Sequence, residues 1–95
     1  MPTLIISPEA EQDLLDIWLY IAEDNPTNAD RFLDRLEANA LKLVEFTEIG
    51  TDRPELAFGL KSFPVDRYIL YYRTAPDGIE LIRILHGSRG INRVF

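Results

Sequence analysis

The segment Leu85-His86-Gly87-Ser88-Arg89-Gly90 holds the only histidine of the chain. An imidazole titrates near neutrality, so His86 is a candidate general base, and Arg89 could stabilise an anion beside it. A base also needs a partner and a pocket, and the residues alone display neither. The competing reading is a strand-end histidine bonded to backbone, with Arg89 opening a polar binding tail. The other bases of the second half are Arg53, Lys61, Arg67, Arg73, Arg83 and Arg93. Regular alternation along IELIRILH would put Arg83 on the face of Leu81 and Leu85, and His86 on the face of Ile82 and Ile84. Arg83 and His86 are therefore not expected to act as one catalytic pair.

Other chemistries find less support. The chain has no cysteine, which excludes disulfides and thiolate catalysis and suits a cytoplasmic location. A metal site needs three or four convergent ligands, and one histidine with scattered carboxylates does not supply them. Asp13 with Asp16, and Glu45 with Glu48, read as solvated helix surface. No phosphate-binding glycine loop and no nucleophile elbow is present, and the glycines at 50, 59, 78, 87 and 90 read as punctuation between elements. Neither metal nor cofactor is expected.

The 95 residues suffice for one domain, expected to span 1–95. No apolar run approaches the ~20 residues of a membrane helix, and the N-terminus lacks the basic region of a signal peptide. The net charge of −6 is unevenly placed. Residues 1–50 carry 11 acids and 3 bases, net −8; residues 51–95 carry 5 acids and 7 bases, net +2. Such a chain does not coat nucleic acid, yet its second half can hold a local basic patch, because screening acts over about 8 Å.

These residues need positioning elements. TLIIS at 3–7 is a short β-type run. Ser7 is a natural N-cap, Pro8 suits the first helical position, and Glu9 favours the positive end of the helix dipole. Ala10, Leu14, Ile17, Trp18 and Ile21 then recur at helical spacing over about 8–24, which leaves Trp18 either in the hairpin core or as a surface contact. Asn25-Pro26 breaks the helix, and Thr27 with Asp30 resembles a capping box. A second helix carries Ala29, Phe32, Leu33, Leu36, Ala40 and Leu43 on one stripe and ends near Glu45. TDRPELAFG reads as a loop. LKSFPV, RYILYYRT and IELIRILH read as strands, with APDG a turn in which Gly78 is available for positive φ.

The predicted fold is α+β: two layers in the order β-α-α-β-β-β, an N-terminal helical hairpin packed on a mostly antiparallel four-stranded sheet. The first strand is expected to lie parallel beside the last. Both faces of the last strand carry aliphatic residues, so the face away from the hairpin needs cover too. A partner chain and a fold-back of a loop or the C-terminal tail are equal candidates.

The pieces SPEAEQDLLDIWLYIAEDNP at 7–26, RFLDRLE at 31–37, RPEL at 53–56, GLKSFPVDRYILYYR at 59–73 and IELIRILHGSRG at 79–90, in this order and spacing, resemble the RelE/ParE superfamily of bacterial type II toxins, and more closely its ParE branch. The resemblance implies a cytoplasmic toxin neutralised in a hetero-oligomer by a ParD-like antitoxin whose C-terminal segment wraps around it. ParE-like members implied here are not enzymes and mostly poison DNA gyrase, without direct nucleic-acid binding. RelE-like members, the alternative, cut messenger RNA on the ribosome with a basic cluster and often a tyrosine near the C-terminus. Here the 52–61 loop holds only Arg53 and Lys61, and INRVF lacks a tyrosine. Candidate target-binding residues are Arg83, His86, Arg89 and Arg93, with His86 a contact or structural residue and no catalytic residue assigned. Gly90 stands where the family commonly has Asp, and Asp66 where it commonly has Gly. A third reading is an inactivated toxin kept as an antitoxin-binding module.

Overall fold

The computed structural model describes residues 2–88 and 94–95. The elements are β1 (Thr3–Ile6), α1 (Pro8–Ala22), α2 (Pro26–Glu45), β2 (Thr51–Asp52), β3 (Lys61–Val65), β4 (Tyr68–Ala75) and β5 (Gly78–His86). The sheet runs in the order β1-β5-β4-β3-β2. β1 lies parallel to β5, as the long helical crossover allows, and the remaining pairs are antiparallel. The sheet has five strands rather than four. The extra strand is the pair Thr51–Asp52 within the segment read as loop, registered on Ser62 and Lys61. An ion pair from Lys61 to Asp52 at 2.6 Å fastens it there.

Both helices begin at proline, where the missing amide costs nothing. Ser7 caps α1 by accepting from the Ala10 N–H at 3.0 Å, and its own hydroxyl donates to the Ile82 carbonyl at 2.7 Å. One side chain thus ties the helix start to β5. The cap of α2 is Asn25, which accepts from the Asn28 N–H, rather than a Thr27–Asp30 box. Asp30 instead accepts from the indole N–H of Trp18 at 2.8 Å. Trp18 is half-buried at the rim of the hairpin, not in the core. An indole that keeps a wet, charged partner cannot sink further without abandoning it.

The main core lies between the hairpin and the sheet. It joins Ala10 and Ile17 of α1, Leu36 and Leu43 of α2, and Leu70, Tyr72, Ile79, Leu81 and Ile84 of the strands. Tyr72 is fully buried, and its hydroxyl donates to the Thr47 carbonyl and accepts from the Gly50 N–H. That satisfies the phenol and pins the connection leaving α2. A Cβ at Gly50 would collide with the same phenol. Glycine at 78 is required by close approach, since a Cβ there would strike the Thr3 carbonyl of β1. Its φ is not positive; among the described residues the glycine with positive φ is Gly59, at +74°.

The opposite face of the sheet carries a second cluster of Leu60, Tyr71 and Leu85, joined by Leu56, Ala57, Ile69, Ile82, Val94 and Phe95. The Phe95 ring centre sits 5.2 Å from that of Tyr71. The chain therefore covers this face itself, with the 53–60 loop and its last residues.

Candidate target-binding surface

β5 is not regular. Tyr71 pairs with Arg83 and Tyr72 with Leu81, so Ile82 is an extra residue, a β-bulge. The alternation therefore slips by one. Leu81 and Ile84 face the helices, while Ile82 and Leu85 face away. The expected grouping of Leu81 with Leu85, and of Ile82 with Ile84, held only for a regular strand. With the slip, Arg83 meets Asp13 of the helical layer, while His86 meets Tyr68 of β4.

Arg83 is held there by Asp13 of α1. Its Nε donates to one carboxylate oxygen at 2.7 Å and its second nitrogen to the other at 2.9 Å. The Ile84 N–H donates to the same carboxylate at 3.0 Å. Asp13 is thus buried and accepts three hydrogen bonds, in contrast to the solvated helix acid expected. The pairing raises the Arg83 guanidinium further above its ordinary value, against the lowering effect of burial. The signal was present in the sequence. Asp13 stands between Ala10 and Ile17 on the apolar stripe, where an acid needs a partner.

His86 is exposed at the end of β5. Its ring meets Tyr68 edge-on, centres 5.2 Å apart and planes at 82°. Tyr68 in turn packs on Phe32 of α2 at 5.4 Å. The Ser88 N–H donates to Nδ1 at 3.2 Å, and the Ser88 hydroxyl lies 2.7 Å from the same atom. The Ser88 N–H geometry makes Nδ1 the acceptor of that bond, which assigns the proton of a neutral ring to Nε2. In that tautomer Nε2 is a donor, which suits a contact residue better than a general base. Arg89 and Arg93 lie outside the described residues, as does Gly90.

Around His86 the surface forms a shallow depression of about 470 Å³ lined by Tyr20, Ile21, Arg67, Tyr68, His86 and Ser88. Burial pushes the Tyr68 phenol above its usual value, and the neighbouring Tyr20 phenol adds to the effect. Tyr20, Arg67 and Tyr68 escaped the sequence reading because three separate elements bring them together.

Two further bases, Lys61 and Arg53, are engaged within the chain. Lys61 is buried and bonded to Asp52 at 2.6 Å and to Glu48 at 3.1 Å, which raises its ammonium above the ordinary value. Arg53 donates to the Ser62 hydroxyl and to Glu55. On the other side of the hairpin lies a groove of about 520 Å³. Leu4 and Ile6 of β1, Leu14 and Trp18 of α1 and Leu33 of α2 form its walls, with Asp30, Asp34 and Glu37 among its lining. No helix among the described residues is long and apolar enough to cross a membrane.

Comparison with known proteins agrees with this architecture. The chain is 29% identical over 87 residues to "Toxin RelE3" of Caulobacter vibrioides, covering 90% of this chain and 95% of that toxin. It is 32% identical over 80 residues to "Toxin ParE3" of the same organism, covering 83% and 80%. A solved structure of the chromosomal ParDE TA system from P. aeruginosa superimposes with a TM-score of 0.75 over 90% of this chain and 96% of that one, at 20% identity, a likeness of fold. Residues 4–91 match the family described as the ParE toxin of the type II toxin-antitoxin system parDE. The chain belongs to this ParE toxin family, within the RelE/ParE superfamily of type II toxin–antitoxin toxins.

Proposed function

We propose that the chain is a non-enzymatic cytoplasmic toxin that inhibits DNA gyrase and is neutralised in a hetero-oligomer by a ParD-like antitoxin. The observation that supports the choice against a nuclease is the engagement of Lys61, Arg53 and Arg83. Cutting RNA requires cations free to meet a phosphate and a base free to take a proton. Here Lys61, Arg53 and Arg83 are each bonded to carboxylates of the same chain. His86 offers Nδ1 to Ser88. A net charge of −6 further disfavours a polyanionic ligand, so no direct nucleic-acid binding is expected.

The groove between the hairpin and β1 supports the antitoxin side of the reading. It combines apolar walls with Asp30, Asp34 and Glu37, and β1 is an edge strand. An antitoxin arm with apolar anchors and flanking Lys or Arg would suit both the walls and the carboxylates. Induction of the toxin, with RNA ends mapped alongside plasmid supercoiling, tests the assignment. Loss of negative supercoiling with intact messages is expected; messages cut within codons, with supercoiling intact, would place the chain with the RelE-type nucleases.

A further inference from the structure

We infer that the depression lined by Tyr20, Arg67, Tyr68, His86 and Ser88 is the surface with which this toxin grips a carboxylate-bearing segment of its protein target. The inference rests on the reading of the chain as an inhibitor of a protein rather than a nuclease.

The lining offers donors and aromatic surface and includes no carboxylate, in a chain with 16 acids and 10 bases. Tyr20, Tyr68 and His86 also border an adjoining depression whose acids are Asp13, occupied by Arg83, and Asp16, which accepts from Gln12. Arg67 stands at its edge, exposed, with no carboxylate partner among the described residues. The acid next to it in the chain, Asp66, is occupied by Arg35 at 2.8 Å. The Nε2–H of His86 adds a second donor, and Tyr20, 72% exposed, contributes its ring and hydroxyl. Exposed Tyr and Arg in a concave site are the residue types that dominate binding energy at protein interfaces.

The frame under these groups is stiff. The Gly87 N–H donates to the Arg67 carbonyl at 2.8 Å, joining the end of β5 to the β3–β4 turn. Tyr68 is wedged between Phe32 and His86, and the bond from Arg83 to Asp13 fixes α1 below. Groups held in place lose little freedom on binding. The ligand class follows from charge. A single carboxylate flanked by apolar residues satisfies Arg67 and His86 and covers the aromatic walls. A nucleic-acid strand would extend its phosphates over a surface whose first 50 residues carry a net −8.

The test uses the full chain with Arg67→Glu and Tyr20→Ser, and with Arg73→Glu as a control of equal charge change on the other face of the sheet. Each variant is first shown to melt like the parent and to bind the cognate antitoxin. Growth arrest on induction is then scored, and binding to purified gyrase subunits is measured. Expected are loss of arrest in both site variants, about 30-fold or more weaker target binding, and parental behaviour of Arg73→Glu. Arrest retained by both site variants overturns the inference. So does loss of antitoxin binding with arrest retained, which would give this surface to the antitoxin. A parent chain that causes no arrest overturns it as well, because the surface then has no target. Binding of a single-stranded RNA probe of about 30 nucleotides, long enough to span a site of the usual size, by the parent, lost in Arg67→Glu, would overturn the carboxylate assignment. Arrest lost in both variants with gyrase untouched by the parent leaves this surface standing and removes gyrase as the target.

Discussion

Asp13 and Arg83, 70 residues apart in the chain, form a two-pronged ion pair between the first helix and the last strand. The carboxylate also receives the Ile84 N–H, so the pair is anchored beside the β5 bulge rather than floating between side chains. Ile84, the next residue of the strand, lies in the main core, and His86, two residues further on, lines the depression.

Removal of one partner should therefore act on stability. Asp13→Ala leaves the Arg83 guanidinium and the Ile84 amide without their acceptor and is expected to cost about 3 kcal/mol or more. Arg83→Lys keeps the charge but loses the fork geometry and should recover only part of the loss. Urea unfolding of the three proteins checks this. An Asp13→Ala midpoint equal to the parent's would show the pair to be ornamental.

Asp66 occupies a backbone conformation at φ +54°, at the start of the two-residue turn between β3 and β4. Left-handed geometry costs an ordinary residue roughly 1–2 kcal/mol, and less for Asp. This explains the glycine that the family resemblance associates with the position. In return Asp66 pairs with Arg35, but both side chains are about half exposed and such a bridge contributes at most ~1 kcal/mol. Asp66→Gly is expected to lie within about 1 kcal/mol of the parent, and Asp66→Ala to fall below it by about 1 kcal/mol. Thermal melts of the pair decide; an Ala variant as stable as Gly would contradict the turn argument.

Gly78 lets β1 approach β5. In Gly78→Ala the new Cβ meets the Thr3 carbonyl, a backbone atom that cannot swing aside. The expected cost is about 2 kcal/mol, with faster amide exchange across Leu4–Ile6. Parental exchange in that strand would refute the close-approach account.

Alkaline pH should unfold the protein early. Burial raises the phenols of Tyr68, Tyr71 and Tyr72 above 10.0, and Asp52 with Glu48 raises Lys61 above 10.5. In each case the unfolded chain releases its proton first, so stability is complete below the unfolded value and falls as pH rises through the folded one. The melting temperature is expected to hold to about pH 10 and then decline. Tyr72→Phe should shallow that decline while lowering stability at neutral pH, because Thr47 and Gly50 lose their partner. A slope unchanged by the substitution would exclude Tyr72 as a source.

Much of the scaffold was legible in the sequence. Ser7-Pro8 announced the first helix, the stripe from Ala29 to Leu43 the second, and the aromatic run at 68–72 a buried strand. The parallel placement of β1 followed from the crossover between it and the later strands. The two-residue strand at Thr51 was not legible, because pairing with Lys61 rather than its own propensity creates it. The bulge at Ile82 was also hidden: nothing in IELIRILH breaks the alternation, and only the reach of Arg83 and the Ile84 amide to Asp13 accounts for the extra residue. The surface around His86 was half legible. His86 stood out as the only histidine, whereas Tyr20 and Arg67 become its neighbours only when the hairpin and the β3–β4 turn converge.

A gyrase supercoiling reaction with the purified chain, followed for loss of supercoiling and for trapped cleaved plasmid, separates gyrase inhibition from RNA cleavage. Inhibition is expected at near-stoichiometric toxin, relieved by the cognate antitoxin and lost in Arg67→Glu. Full supercoiling at excess toxin, from a chain that still arrests growth, would contradict gyrase inhibition.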